Sequence, residues 1–211
     1  MPDFSEKNAT LPAFWDERFA QQFTPWDLGG VPQHLREFSQ TSAPRRTLVA
    51  GCGSAWEVRH LLDAGWDVRA IDFSPQACAR AQATLGEHAA CVQQADFFSF
   101  QADPFELIYE RAFLCALPPA RWPEIVARWN ELLVDGGLLA GFFFFAETRS
   151  GPPFGADPQA LQTLLQPHFE LLEDAAVEDS IEVFAGKERW QIWQKRPKTG
   201  EPTQSRTEKP L

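Results

Sequence analysis

From Thr47 onward, short apolar runs alternate with stretches in which apolar residues recur every three or four positions, a pattern that predicts strands separated by helices. Thr47-Leu48-Val49-Ala50 reads as the first strand and runs into Gly51-Cys52-Gly53. In the helix that follows, Val58, Leu61 and Leu62 share a face and Gly65 is the stop signal. Val68 to Asp72 reads as the second strand. Ser74-Pro75 then opens an Ala-rich helix that stops at Gly86, with Ser offering a capping oxygen and Pro a fixed first turn. The third strand fits Ala89 to Gln94 and the fourth Leu107 to Glu110.

Pro119 starts a long helix in which Trp122, Ile125, Val126, Trp129 and Leu133 share a face, ended by a glycine turn at Asp135-Gly136-Gly137. Leu138 to Ala146 is a continuous apolar run, suited to a central strand buried on both faces. A helix fits Pro158 to Gln166, and strands fit Phe169 to Val177 and Glu182 to Gln194. The last two strands have no helix between them, so one of them enters antiparallel. The pattern predicts an α/β fold: a Rossmann-like, seven-stranded, mostly parallel sheet with helices on both faces and the last strand antiparallel. Any ligand belongs at the C-terminal ends of the strands.

Organisation follows from composition. Residues 1–45 are irregular or helical and rich in aromatics, residues 46–194 carry the alternating pattern, and residues 195–211 are Pro, Thr, Lys and Glu without periodicity and read as a disordered tail. Eight Trp and eighteen Phe among 211 residues require a packed interior. The longest apolar run is far below the ~20 residues that cross a bilayer, and the N-terminus lacks the basic-then-apolar order of a signal peptide, so no membrane association and a cytoplasmic location are expected. Lys195 to Leu211 hold five basic and two acidic residues, which leaves 14 basic against 27 acidic elsewhere and a body charge of -13. Such a body repels phosphate backbones, so a nucleic-acid partner is not expected. A small-molecule partner and a monomer are. Cys52, Cys78, Cys91 and Cys115 have no CxxC spacing, and no metal site is expected.

The candidate chemistry sits where the first strand meets its glycine turn. Glycine there lets a ligand approach the backbone closely and permits positive φ. Asp72 lies 19 residues beyond Gly53 at the end of the second strand, the place of a carboxylate that accepts ribose hydroxyls. The dinucleotide fingerprint wants a third glycine where this chain has Trp56, and Glu57 beside it repels phosphate. That disfavours an NAD-dependent oxidoreductase and suits a nucleoside carrying positive charge, such as S-adenosylmethionine. Its cationic end favours acidic surroundings such as Glu57, Asp96 or Glu110. Asp96-Phe97, after the third strand, can bracket an adenine.

Further markers are Pro25-Trp26-Asp27 with Gly29-Gly30, Asp72-Phe73-Ser74, Glu110-Arg111-Ala112, Asp135-Gly136-Gly137 and Gly151-Pro152-Pro153-Phe154. From about Trp15 to Trp190 the chain resembles class I S-adenosylmethionine-dependent methyltransferases. It is most similar to the thiopurine S-methyltransferase family, which includes thiol, thiocyanate and halide methyltransferases. The resemblance implies an enzyme that moves a methyl group to a small soft nucleophile by in-line displacement. It implies an N-terminal helical lid carrying Trp15, Phe19 and Trp26, with Phe19 where relatives often carry Trp. It further implies that Gly51 lines the methionine part of the cofactor, Asp72 binds ribose, and Asp96 and Phe97 flank adenine, with Gly53 and Phe73 also touching the cofactor. Glu110 lies near the sulfonium end, and Glu57 also belongs to the cofactor site. Arg111 is then the catalytic residue that faces the acceptor, and Pro152 and Pro153 form part of the acceptor pocket. A non-catalytic S-adenosylmethionine-binding module is the alternative. His34, His60, His88 and His168 fall outside these motifs.

Overall fold

The computed structural model describes residues 3–197. Its seven strands form one sheet in the order β3-β2-β1-β4-β5-β7-β6. β1 (Arg46–Ala50) pairs in parallel with β2 (Asp67–Asp72) on one side and β4 (Phe105–Arg111) on the other. β3 (Val92–Gln94) extends the first side, and β5 (Leu133–Phe144) extends the second. β7 (Glu188–Lys195) runs antiparallel between β5 and β6 (Phe169–Ala176). The chain leaves β1 toward one edge and later returns beside it as β4, so a crevice opens over the C-terminal ends of these two strands.

Helices cover both faces, because each strand of the parallel part alternates between two cores. On one face Leu35 of α2 (Gln33–Thr41), Val58 and Leu61 of α3 (Trp56–Asp63) and Leu85 of α4 (Pro75–Leu85) pack on Val49, Leu107 and Tyr109. On the other, Ile125 and Trp129 of α5 (Trp122–Leu132) and Leu165 of α6 (Pro158–Leu165) pack on Leu48, Ile108 and Leu139. Before the sheet, α1 (Pro12–Ala20) lies against α4. No helix among the described residues is long and apolar enough to cross a membrane.

Several boundaries differ from the sequence pattern. The third strand is reduced to Val92–Gln94, because Gly86–Cys91 form a 3-10 helix. The helix opened by Pro119 begins as a 3-10 turn and becomes α-helical at Trp122. Asp135-Gly136-Gly137 does not end that helix. The helix stops at Leu132, and the glycines lie within β5, where the register passes from Phe105↔Leu133 to Leu107↔Leu138 and the extra residues bulge out. The final strand starts at Glu188 rather than Glu182, since the segment before it closes turns from Phe184 and Ala185 N–H to the Ile181 carbonyl, with Gly186 at φ +71°.

Lys195 and Arg196 correct the expected start of the tail. Lys195 is a buried strand residue whose Nζ donates to the Leu133 carbonyl at 2.7 Å and lies 3.3 Å from Asp135. Residues 198–211 lie outside the described residues.

Candidate active site

A cavity of about 540 Å³ occupies the crevice. Its floor is built from strand ends. Gly51 and Gly53 follow β1, Asp72 ends β2, and Tyr109 and Arg111 end β4. Gly51 adopts φ +62°, and a Cβ there would come 2.7 Å from the Phe113 ring, so this turn needs glycine on both counts.

The Asp72 carboxylate is buried in the cavity wall and oriented by two backbone donors. Gly53 N–H donates to Oδ2 at 3.1 Å and Ser74 N–H to Oδ1 at 3.0 Å. Burial pushes its pKa up to about 6 even though both N–H groups favour the charge. Each oxygen keeps a further lone pair for a hydroxyl donor, which fits a ribose diol. Phe73, beside it, also lines the cavity.

The roof comes from the N-terminal segment. Trp26 meets Trp15 edge-on at 5.3 Å between ring centroids and Phe19 at 6.0 Å. Phe19 leans over the glycine turn, its Cζ 3.5 Å from where a Gly53 Cβ would stand. Trp15 Nε1 donates to the Ala9 carbonyl at 2.8 Å. Residues upstream join this roof, a contribution the sequence pattern did not indicate. Phe4 packs on Phe23 at 5.4 Å, and the Arg18 guanidinium lies between Phe4 and Phe14 at 4.2 and 3.2 Å from their centroids.

Beyond β3, Asp96 and Phe97 both line the cavity. Asp96 Oδ1 accepts the Phe98 N–H at 2.9 Å. Phe97 is largely core, packed on Phe113 at 5.0 Å, while the less buried Phe98 carries Arg121 on its face at 3.8 Å. Pro152, Pro153 and Phe184 line the cavity as well. Cys52 and Cys115 are cavity-wall residues too, and burial pushes both thiols well above their ordinary pKa.

Glu110 is the exception among the expected site residues. Successive strand side chains point to opposite faces, so Tyr109 and Arg111 reach the cavity and Glu110 turns away from it. Its buried carboxylate accepts the N–H groups of Phe113 at 3.2 Å and Leu114 at 3.0 Å, bracing the turn after β4, and burial pushes its pKa up to about 8. Glu57, on the first turn of α3, reaches Arg111 instead of standing alone. Arg111 Nε lies 3.5 Å from Glu57 Oε1. Tyr109 belongs to no motif, although its place two residues before Arg111 is the signal of a shared face.

The histidines lie elsewhere, as their lack of motif partners implied. His34 stacks on Trp190, and His60 meets Ser39 Oγ at 2.8 Å.

The thiopurine S-methyltransferase family matches residues 10–198. The chain is 28% identical over 194 residues to thiocyanate methyltransferase 1 of Arabidopsis thaliana, covering 86% of this chain and 84% of the relative. It is 30% identical over 191 residues to a probable thiol methyltransferase 2 of the same plant, with the same coverage. Among solved structures, the 1,6-didemethyltoxoflavin-N1-methyltransferase of Burkholderia thailandensis, with bound 1,6-didemethyltoxoflavin and S-adenosylhomocysteine, superposes with a TM-score of 0.69 at 18% identity, covering 93% of this chain and 92% of that one. The glycine turn, the buried carboxylate and the aromatic roof fit a cationic nucleoside. With the family match across nearly all described residues, the chain belongs to the thiopurine S-methyltransferase family and is an S-adenosylmethionine-dependent methyltransferase.

Proposed function

We propose that the enzyme methylates the sulfur of a small acceptor (a thiol, a thiopurine or thiocyanate, with halide as the other soft nucleophile) by in-line displacement, acting as a cytoplasmic monomer. The observation that carries this reading is the placement of Arg111 and Asp72 at the ends of β4 and β2, in the walls of one cavity. Bound S-adenosylmethionine supplies a methyl group already activated on a cationic sulfur.

The chain's residues then have three tasks. Asp72 accepts from the ribose hydroxyls, and Asp96 with Phe97 and Phe98 holds the adenine edge and face. Gly51 and Gly53 leave room for the methionine part. Trp15, Phe19 and Trp26 exclude water, which strengthens every charge interaction in the cavity. Arg111, Pro152 and Pro153 present the acceptor in line with the methyl carbon, and such positioning is worth about 7–11 kcal/mol of barrier. The acidic body supports a small-molecule acceptor over a nucleic acid, and four free cysteines support a reducing compartment.

Incubation with methyl-labelled donor and a panel of thiopurines, small thiols, thiocyanate and iodide tests this. Label recovered on at least one of these acceptors is expected. Donor binding without transfer to any of these acceptors would overturn this acceptor assignment.

A further inference from the structure

Four polar groups gather around the end of β4: Arg111, Glu57 and Tyr109 in the cavity wall, and Glu188 behind them. Arg111 and Glu57 form an ion pair with side chains only 8% and 16% exposed. The Tyr109 hydroxyl interacts with Arg111, yet neither that hydroxyl nor Arg111 Nη1 completes a well-aligned hydrogen bond, and both residues line the cavity. Glu188 of β7, whose Oε2 accepts from Ser180 Oγ at 2.7 Å, acts on the same guanidinium. Asp27 adds negative potential at Glu57, and Asp179 adds it at Glu188.

One guanidinium is therefore paired with the Glu57 carboxylate and held in the field of a second, Glu188. An anion that enters finds the cation already matched, so it loses hydration without net attraction. A neutral thiol brings no charge and carries a proton that a carboxylate can accept.

We propose that Glu57 makes this chamber select protonated thiols over preformed anions and takes the thiol proton during transfer, an inference that rests on the S-methyltransferase reading above. The S–H bond breaks and its proton forms an O–H bond on Glu57. The sulfur's electron pair forms the new bond to the methyl carbon, and the pair of the broken donor bond stays on the donor's sulfur. As Glu57 becomes neutral, Arg111 turns its charge to the developing thiolate, and Arg111 Nη1 and the Tyr109 hydroxyl donate to that sulfur. Glu57 returns the proton to water once product leaves. Burial holds the Glu57 carboxyl above its ordinary range, which suits a group that gains a proton near neutral pH.

The test compares the full chain with its Glu57→Gln variant. Calorimetric titration with S-adenosylhomocysteine is expected to give affinities within about threefold of each other, under 1 kcal/mol. With that ligand bound, thiocyanate is expected to bind the variant about tenfold or more tightly, because Arg111 has lost its counter-charge. Turnover of benzyl mercaptan is expected to fall about 100-fold or more, with the acid limb of its pH–rate profile lost and partly restored in Glu57→Asp.

Unchanged thiocyanate affinity overturns the proposal. So do equal losses with thiol and thiocyanate, or S-adenosylhomocysteine affinity that falls in step with turnover, which would make Glu57 a cofactor ligand. Should the variant fold poorly, the wild type decides: with S-adenosylhomocysteine saturating, thiocyanate affinity must rise as pH falls and Glu57 is protonated, and a pH-independent affinity overturns the proposal. A wild type that methylates no sulfur acceptor refutes the preceding reading instead, while the thiocyanate titrations still decide the charge argument.

Discussion

Asp16 of α1 accepts a hydrogen bond from Ser74 Oγ at 2.5 Å, and Ser74 in turn donates its backbone N–H to Asp72. The Asp16 carboxylate also accepts the Gln76 N–H at 3.1 Å, so it caps the first turn of α4 from a neighbouring helix. The roof is thus tied to the residue assigned to the ribose. Asp16→Ala should weaken S-adenosylhomocysteine binding by about 1–2 kcal/mol, and Asp16→Asn, which keeps an acceptor oxygen, by less. Calorimetric titration of both variants checks the order.

Asp72 gives a pH dependence. In the proposed site, ribose hydroxyls donate to the ionised Asp72 carboxylate, whose pKa in the free protein is raised to about 6. Affinity for S-adenosylhomocysteine should therefore be flat above pH 7 and drop about tenfold by pH 5, where roughly one carboxylate in ten is ionised. Asp72→Asn should remove this dependence and bind weakly throughout. An unchanged profile in the variant would assign the titration to another group.

Glu110 gives a stability dependence of definite sign. Its pKa is about 8 in the folded protein against 4.5 ordinarily, so between these values the folded state holds a proton that the unfolded state has released. Stability is fully present below about pH 4.5 and declines as pH rises through 8, by a few kcal/mol in order of magnitude. Glu110→Gln keeps an oxygen for the Phe113 and Leu114 N–H groups and should flatten this decline. Urea unfolding of both proteins at pH 5, 7 and 9 measures the difference.

Gly141 tests the central pairing of the sheet. A Cβ there would lie 1.8 Å from the Glu110 carbonyl oxygen on the adjacent strand. Backbone cannot yield as a flexible side chain does, so Gly141→Ala should cost about 3 kcal/mol or more and lower the melting temperature sharply. A variant with wild-type stability would mean that β4 and β5 are spaced differently.

The alternation of apolar runs and helical faces was enough to read the strand count, the helices on both faces and the reversed last strand, because buried parallel strands leave near-continuous hydrophobic segments. Boundaries were harder to read where residues satisfy both patterns. Ala89 and Ala90 suit a strand by apolarity but sit in a 3-10 turn, and Lys195 looks like the start of a polar tail until its ammonium finds the Leu133 carbonyl. At the cavity, the glycine turn and Asp72 were legible from spacing alone. Glu110 was not, since deciding which of two neighbouring strand residues faces a crevice requires the register against β5. The contribution of Phe4 and Arg18 was hidden as well, because a contact made by folding the N-terminus back leaves no periodic trace.

Cys52 and Cys115 stand in the wall of the cavity proposed to hold an alkylating reagent. Any thiolate there would compete with the incoming acceptor and end as a dead methylated side chain. Burial keeps both thiols protonated, and a protonated thiol is a poor nucleophile. Packing that shields the protein's own sulfur from water thereby also spares the enzyme from inactivating itself.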